Sequence, residues 1–282
     1  MRAILVSVNY HDLLSITLPY NRNHFDEVMV VSSFEDRNTA DVAMANRCHL
    51  HRTEAFTANG ATFNKWAALE EGLNVFGRHG WLCIMDADVL WPKHPCWVPV
   101  NPLEIGKLYT PLRRMWDNWP RPFVYTNGIL DPDTPGYRIW FEDGETKHGP
   151  SKVKGVPGEG DWCMFPIHRN VAEWAGYSQI FHADDPHLGP VPWHEVDWKH
   201  AGGADSFFQA KWPAECKVRP PFEVLHLGPA GQNWFGRATP LADGTVLPGS
   251  EERRDLSGRK IWHDRRTNRA EGRDQFDGEK IK

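Results

Sequence analysis

Before residue 90 the chain alternates short apolar runs with amphipathic stretches, and few folds accommodate that order. "AILVSV" (3–8) and "EVMVVSS" (27–33) are apolar almost throughout, as expected of strands covered on both faces. Between them, "HDLLSITLPYNRN" (11–23) reads as a helix opened by Asp12 and ended or kinked at Pro19. "NTADVAMANR" (38–47) predicts a second helix, and "HLHRT" (49–53) a weaker extended stretch. "NGATFNKWAALEEGLNVFGRHG" (59–80) carries Phe63, Trp66, Ala67, Leu69, Leu73 and Phe76 near helical spacing, with Gly80 as the exit. "WLCIMDAD" (81–88) supplies the next strand. Repeated strand–helix units predict an α/β fold with a mostly parallel, doubly wound central sheet flanked by helices. Ligands of such sheets sit at the carboxyl ends of strands, near the topological switch point.

From about residue 105 the texture changes. Short extended runs ("KLYTPL", "FVYTNGIL", "YRIWF", "DWCMFPIH") alternate with loops rich in Pro, Gly and Trp. They predict mixed or antiparallel strands packed beside the first sheet. Residues 1–240 therefore read as one domain, with halves 1–104 and 105–240. The stretch 241–282 is charged with both signs and poor in apolar residues, which predicts a mobile appendage or a surface-hugging helix.

Composition sets limits on partners. A chain of 282 residues can bury a substantial core. A formal net charge of -5 gives no global attraction to nucleic acid or an anionic membrane. Five cysteines without a CxxC pair favour reduced thiols, and hence a cytoplasmic setting. The apolar run at the N-terminus is too short for a signal sequence, and no stretch approaches a membrane span. The 14 Trp exceed twice the 6 Tyr. Indoles fill cores, and their flat faces also stack on sugars and bases.

The strand at 81–88 ends in two carboxylates, Asp86 and Asp88, one residue apart. A second Asp-x-Asp, Asp131 and Asp133, lies among prolines and reads as a turn. A surface turn with two solvated carboxylates is the plain alternative for the first pair too. Its setting, between a buried strand and the apolar "VLWP", favours a site instead. Like charges this close raise each other's pKa, so a site that keeps both ionised supplies a cation. Oxygen ligands at a strand end suit Mg2+ or Mn2+, which leave coordination positions for substrate phosphates.

With these segments in view, residues 3 to 237 resemble the metal-dependent glycosyltransferases of the GT-A fold, the family 2-like group in particular. "LVSVNY" looks like the first strand of that fold, whose end cradles the nucleotide base, here Asn9 and Tyr10. "VVSSFEDRNT" is similar to the second strand and its acidic loop, and carries Asp36 over to base or ribose recognition. "FNKWAALEEGL" resembles the helix before the Asp-x-Asp strand, with Asn64 and Lys65 facing the nucleotide. "GEGDWCMFPIHRNVAEWAGY" is similar to a strand beneath the acceptor leading into an Arg-bearing helix start. "GGADSFFQAKW" matches the segment with the acid that deprotonates the acceptor, which makes Asp205 the catalytic base. "VLHLGPAGQNWFGR" resembles the final strand and loop, in which His226 completes a metal site with Asp86 and Asp88. Trp234 and Arg237 would close over the diphosphate.

Each assignment has a plainer counterpart. Asp205 could cap the helix "SFFQAKW", His226 could be a satisfied core histidine, and Lys65 and Arg237 could be solvated charges. Other signatures are absent: "HEVDWKH" is not HExxH, and no GxxxxGK[ST] or GxGxxG occurs. "DADVL" differs from the dehalogenase-type acid pair at Leu90, and nucleotidyltransferases would carry a Gly-rich loop where "NYHDLL" stands.

The resemblance implies a Rossmann-like GT-A sheet with a smaller mixed sheet and a loop-rich acceptor half. It implies transfer of a sugar from a nucleotide donor, expected to be a UDP-sugar, to a hydroxyl with Mn2+ or Mg2+. The acceptor could be a 5-hydroxymethylpyrimidine in phage DNA, placing the protein in the host cytoplasm, or a glycan or lipid-linked sugar. For DNA speak the Trp-bearing loops "MWDNWP" and "VPWHEVDW" and the Arg pairs at 113–114, 253–254 and 265–266. From another class, a carbohydrate-binding protein without catalysis would share the Trp but would have no use for the acid pair.

Overall fold

The computed structural model describes residues 1–91, 102–116, 125–126, 129–130, 138–140, 146–148, 177–220, 223–227 and 233–257. The first half alternates as predicted: β1 (Arg2–Val6), α1 (His11–Asn21), β2 (Glu27–Ser32), α2 (Arg37–Ala45), β3 (His49–Arg52), α3 (Lys65–Phe76) and β4 (Trp81–Asp86). The second half adds short strands: β5 (Val89–Leu90), β6 (Leu108–Tyr109), β7 (Leu112–Trp116), β8 (Tyr125–Thr126), β9 (Ile129–Leu130), β10 (Arg138–Trp140) and β11 (Thr146–His148). There follow β12 (Ser178–His182), α4 (Ala204–Gln209), β13 (Lys217–Val218), β14 (Glu223–Leu227) and α5 (Ser250–Ser257).

A seven-stranded sheet runs in the order β13-β6-β12-β4-β1-β2-β3. Strands β4, β1, β2 and β3 are mutually parallel, while β12 pairs antiparallel with β4. The fold class is thus α/β with a largely parallel central sheet. From β1 the chain winds outward through β2 and β3, then crosses to the other side of β1 to form β4. The switch point lies between β1 and β4, where Val6 stands opposite Asp86. A three-stranded sheet, β5-β14-β7, adjoins that edge.

Alternation along the buried strands divides the core in two. Ile4, Val6, Met29 and Val31 face α3 with Leu69 and Leu73, while Ala3, Leu5, Val28 and Val30 face α1 and α2 with Leu14, Leu18 and Ala43. Helix α3 lies so close to the sheet that a Cβ on Gly72 would approach the Val31 side chain to 2.5 Å. Three expectations need correction. Pro19 lies inside α1, which continues to Asn21, and Asp12 sits in the first turn after the N-cap Tyr10. Residues 59–64 are not part of α3, because Asn64 caps its start and a separate 3-10 turn covers Ala55–Gly60. Trp193 and Trp198 of "VPWHEVDW", expected as exposed stacking surfaces, are only 5% and 4% exposed. They are core, packed with Phe181, Phe208 and Trp212. Met115 and Trp116 of "MWDNWP" end β7; the rest of that loop, "DWCMFPIH" and the Asp131–Asp133 turn lie outside the described residues, as does the "GEGDWCMFPIHRNVAEWAGY" segment apart from Tyr177.

One buried ion cluster ties the loop before α4 to α3. Glu70 accepts from Arg78 at 2.6 Å and from the His194 backbone and Nδ1 at 2.9 and 2.6 Å. The imidazole is stacked between Trp66 and Phe208. Burial opposes the Glu70 charge, but His194 and Arg78 outweigh it and hold the carboxyl below its ordinary range. Glu70→Ala should therefore strand two buried donors and cost about 3–5 kcal/mol, the range for breaking a buried pair from one side. Denaturant unfolding measures this; a change below about 1 kcal/mol would show the cluster to be dispensable.

Candidate active site

The site is assembled at the carboxyl ends of β1, β2 and β4. Asp86 ends β4 and Asp88 follows in the turn to β5. Lys65, the first residue of α3, forms an ion pair with Asp86, both side chains mostly covered. Its position is set by Asn64, whose side-chain oxygen accepts from Ala67 N at 3.0 Å, capping the helix. The Asn64 amide also donates to the Val196 carbonyl at 2.6 Å. Both ends of the Asn64 side chain are thus engaged in holding α3, and the residue is buried.

His226 arrives from β14, where it pairs opposite Val89. Its Nε2 stands 3.6 Å from Asp88 Oδ1, with the two side chains only 10% and 13% exposed. Burial raises the Asp88 pKa; the neighbouring Asp86 adds to the rise, while His226 and Lys65 oppose it. Burial alone would depress Lys65, but Asp86, Asp205 and Asp88 hold its ammonium above the ordinary value. Like charges packed together here are stabilised by cations, and the site invites one more.

A carboxylate oxygen and an imidazole nitrogen converging at this distance fit two positions of a divalent ion that fills the rest of its shell with water and phosphate oxygens. Among the described residues, no group of three or more His, Cys, Asp or Glu stands ready to hold a metal. Asp88 and His226 converge, whereas Asp86 is turned to Lys65.

The nucleotide-side residues divide into groups. Asp36 caps α2, accepting from Thr39 N at 3.0 Å, and its other oxygen takes the Asn9 backbone N–H. Asn9 has φ 62, a left-handed turn that Asn tolerates. Tyr10 follows, its phenol pushed far above its ordinary pKa, first by burial and then by Asp88. These three residues stand together at the carboxyl end of β1.

Arg237 is placed otherwise than a diphosphate clamp requires. Its guanidinium donates to Asp12 through both terminal nitrogens, to the carbonyls of Asn9 (3.0 Å) and Pro240 (2.8 Å), and through Nε to the Thr239 carbonyl (3.2 Å). Five donors meet five acceptors, and the residue is 1% exposed. It pins the C-terminal segment to α1 and lies over the Tyr10 ring at 4.6 Å. Asp12 was legible only as a helix start; its pairing across 225 residues leaves no local signal. Asn233 was also missed: its side-chain oxygen accepts from Ala238 N and Thr239 N, shaping the same loop.

Asp205 sits in the first turn of α4, whose N-cap is Gly203 rather than Asp205. Its carboxylate accepts from the adjacent Ser206 N at 2.9 Å and lies near enough to Lys65 to influence its charge. Trp234 packs its ring on Gly202, where a Cβ would meet the indole at 2.7 Å, and its carbonyl accepts from Ala201 N. The indole therefore borders the arm that carries Asp205. The C-terminal segment reaches α5, where Arg253 donates to the Arg237 carbonyl at 3.2 Å. No described helix is long and apolar enough to cross a membrane, and Cys48, Cys83 and Cys216 are free thiols.

No protein-family model matches the chain, and no curated protein does. Among solved structures, it is similar to glucosyl-3-phosphoglycerate synthase from Mycobacterium tuberculosis in complex with Mn2+, UDP and glucosyl-3-phosphoglycerate. The identity is 20% and the TM-score 0.31, over 40% of this chain and 43% of that one. It is also similar to mannosyl-3-phosphoglycerate synthase from Rubrobacter xylanophilus, at 21% identity and a TM-score of 0.33, over 40% of each chain. The likeness thus spans less than half the length of either protein.

His200, beside Trp234 and Phe235, has its pKa pushed down to about 4 by burial. Unfolded, it titrates near about 6.5, so the unfolded chain binds the proton first. Its contribution to stability is complete above about pH 6.5 and is lost as the pH falls toward 4. His194, also depressed by burial, acts in the same direction. Thermal melting should therefore weaken between about pH 6.5 and 5, and His200→Gln should flatten that slope. Equal slopes in both proteins would place His200 in contact with water.

Proposed function

We propose that the chain is a GT-A-type glycosyltransferase that moves a sugar from a nucleotide donor to a hydroxyl with the help of Mn2+ or Mg2+. The observation that carries this reading is the convergence at the switch point of Asp86, Asp88, Lys65 and His226, with Asp205 in electrostatic reach. That combination suits a diphosphate leaving group: two cationic or cation-binding elements face the charge, and a separate carboxylate serves the acceptor. A divalent ion held by Asp88 and His226 would stabilise the departing diphosphate as a Lewis acid. Lys65 would add a fixed positive charge, orienting Asp86 as it does so. Asn9, Tyr10 and Asp36 would shape the nucleoside pocket, for which a UDP-sugar is the donor of first choice. Asn64 and Arg237 would act by holding α3 and the β1 loop in place. Trp234 would line the path to the acceptor instead of covering the diphosphate.

In an inverting reaction, Asp205 would take the acceptor proton as the oxygen attacks the anomeric carbon. For the acceptor we carry forward a hydroxymethylated pyrimidine in DNA. With Trp193 and Trp198 buried, its support reduces to the "MWDNWP" loop and the Arg pairs. The side chains of Arg113 and Arg114, and all of Arg265 and Arg266, lie outside the described residues. A cytoplasmic setting, that of the host if the protein is phage-encoded, suits both nucleotide sugars and free thiols.

The test is a panel of nucleotide sugars with Mn2+, scored by released nucleoside diphosphate and by mass gained on hydroxymethylated DNA, unmodified DNA and saccharides. Donor turnover should require the metal and disappear in Asp88→Ala with the melting curve retained. Full turnover in excess EDTA would overturn the metal role. Transfer to saccharides but never to modified DNA would reassign the acceptor to a glycan. Asp205→Asn keeps the side-chain shape but cannot accept a proton, so turnover should fall at least about a hundredfold while donor affinity holds. Near-normal turnover with retained anomeric configuration would remove Asp205 from the chemistry.

A further inference from the structure

The turn that carries Asp86 and Asp88 is gripped from behind by helix α1. Thr17 Oγ1 donates to the Ala87 carbonyl at 2.7 Å. Asn21, one helical turn later on the same face, donates through Nδ2 to the Val89 carbonyl at 2.7 Å and accepts from Trp91 N at 2.8 Å. On the other side, Leu227 N donates to the Asp88 carbonyl at 2.7 Å. The three consecutive carbonyls from Ala87 to Val89 thus each receive a donor from a different residue. Thr17 and Asn21 are both 1% exposed. They are polar residues set in a face that is otherwise Leu13, Leu14 and Leu18.

The peptide planes on either side of Asp88, those of the Ala87 and Asp88 carbonyls, decide where its Cα–Cβ bond and hence its carboxylate points, and the Val89 carbonyl and Trp91 N–H held by Asn21 anchor the strand into which those planes lead. A two-residue strand such as β5 has too few ladder bonds to fix those planes alone. We propose that Thr17 and Asn21 are positioning residues that set the direction of Asp88 toward His226, and so the metal affinity of the site. This rests on the reading of Asp88 and His226 as metal ligands. Partners behind the ligands of a metal site commonly govern affinity by about 10–100-fold.

The alternative is that the two side chains only satisfy buried backbone groups, in which case their loss would lower stability and nothing else. Thr17→Val keeps the shape and removes the hydroxyl, while Thr17→Ser restores it. Mn2+ binding to the full chain, read from the electron paramagnetic resonance signal of free Mn2+ with and without UDP, separates the possibilities. Thr17→Val should bind Mn2+ at least about tenfold more weakly, with Thr17→Ser returning to within about twofold of the parent. Phe76→Leu, at the opposite end of the strands beside Arg2, is the control, destabilising without touching the turn. Should Thr17→Val fail to fold, Thr17→Ala makes the same comparison without a second branched methyl. Parental Mn2+ affinity in Thr17→Val, or equal weakening in Phe76→Leu, would overturn the positioning role and leave the metal site standing. A parent protein that takes up no Mn2+ in either condition would overturn the site reading and this proposal together.

Discussion

Two carboxylates held one residue apart at the end of a covered strand repel each other, and the proximity of Asp86 adds to the rise that burial imposes on the Asp88 pKa. The surrounding structure is arranged to offset that repulsion. Lys65 reaches Asp86 because α3 begins where its Asn64 cap is anchored, and His226 reaches Asp88 because β14 pairs with the short β5. The parallel pairing of β1 with β4 puts Val6 beside Asp86, so the first loop of the chain turns over the same spot. Removing any one of these elements leaves a covered negative charge with less to balance it.

A second ion pair does different work. The Asp12–Arg237 pair is fully enclosed, with side chains 9% and 0% exposed, and a charge so enclosed persists only when its hydrogen bonds are complete. Arg237 meets that condition with carbonyls drawn from both the first loop and the C-terminal segment. The ends of the folded region are thereby locked over Tyr10. An arginine committed in this way has no donor left for a phosphate, which separates the charge that holds the pocket together from the charge that would meet a ligand.

How much of this could be read from the chain follows from the range of the interactions. Strands β1, β2 and β4 were legible because parallel strands covered on both faces are apolar without interruption, and the acid pair stood out against that background. The antiparallel β12 was not, because Ser178 and Gln179 are fully buried polar residues within it and break the apolar run. Pro19 reads as a helix end by local rules, yet α1 continues because Asn21 is anchored to Val89 and Trp91, some seventy residues away. Lys65 and Asp88 fall where strand ends and helix starts meet, so topology alone brought them together. The roles of Asp12, Asn233, Thr17 and Asn21 depend on partners that local patterns do not encode.

Three of the described tryptophans have a common structural explanation. Among the described residues, the sheet beyond β4 is extended by β12, β6 and β13, of which only β12 exceeds two residues, and α4 is a single short helix. So little regular structure leaves a large volume to fill on that face, and Phe181, Trp193, Trp198, Phe208 and Trp212 fill it. Large rigid side chains bury much apolar area for little lost rotamer freedom, which suits a region with few backbone ladders. Phe207 and Phe208 are the residues through which α4 joins that aromatic mass, by Trp198 at 5.3 Å and Trp212 at 5.2 Å respectively. Asp205 precedes them on the same short helix. Aromatic packing thus braces the short helix that carries the Asp205 carboxylate toward Lys65.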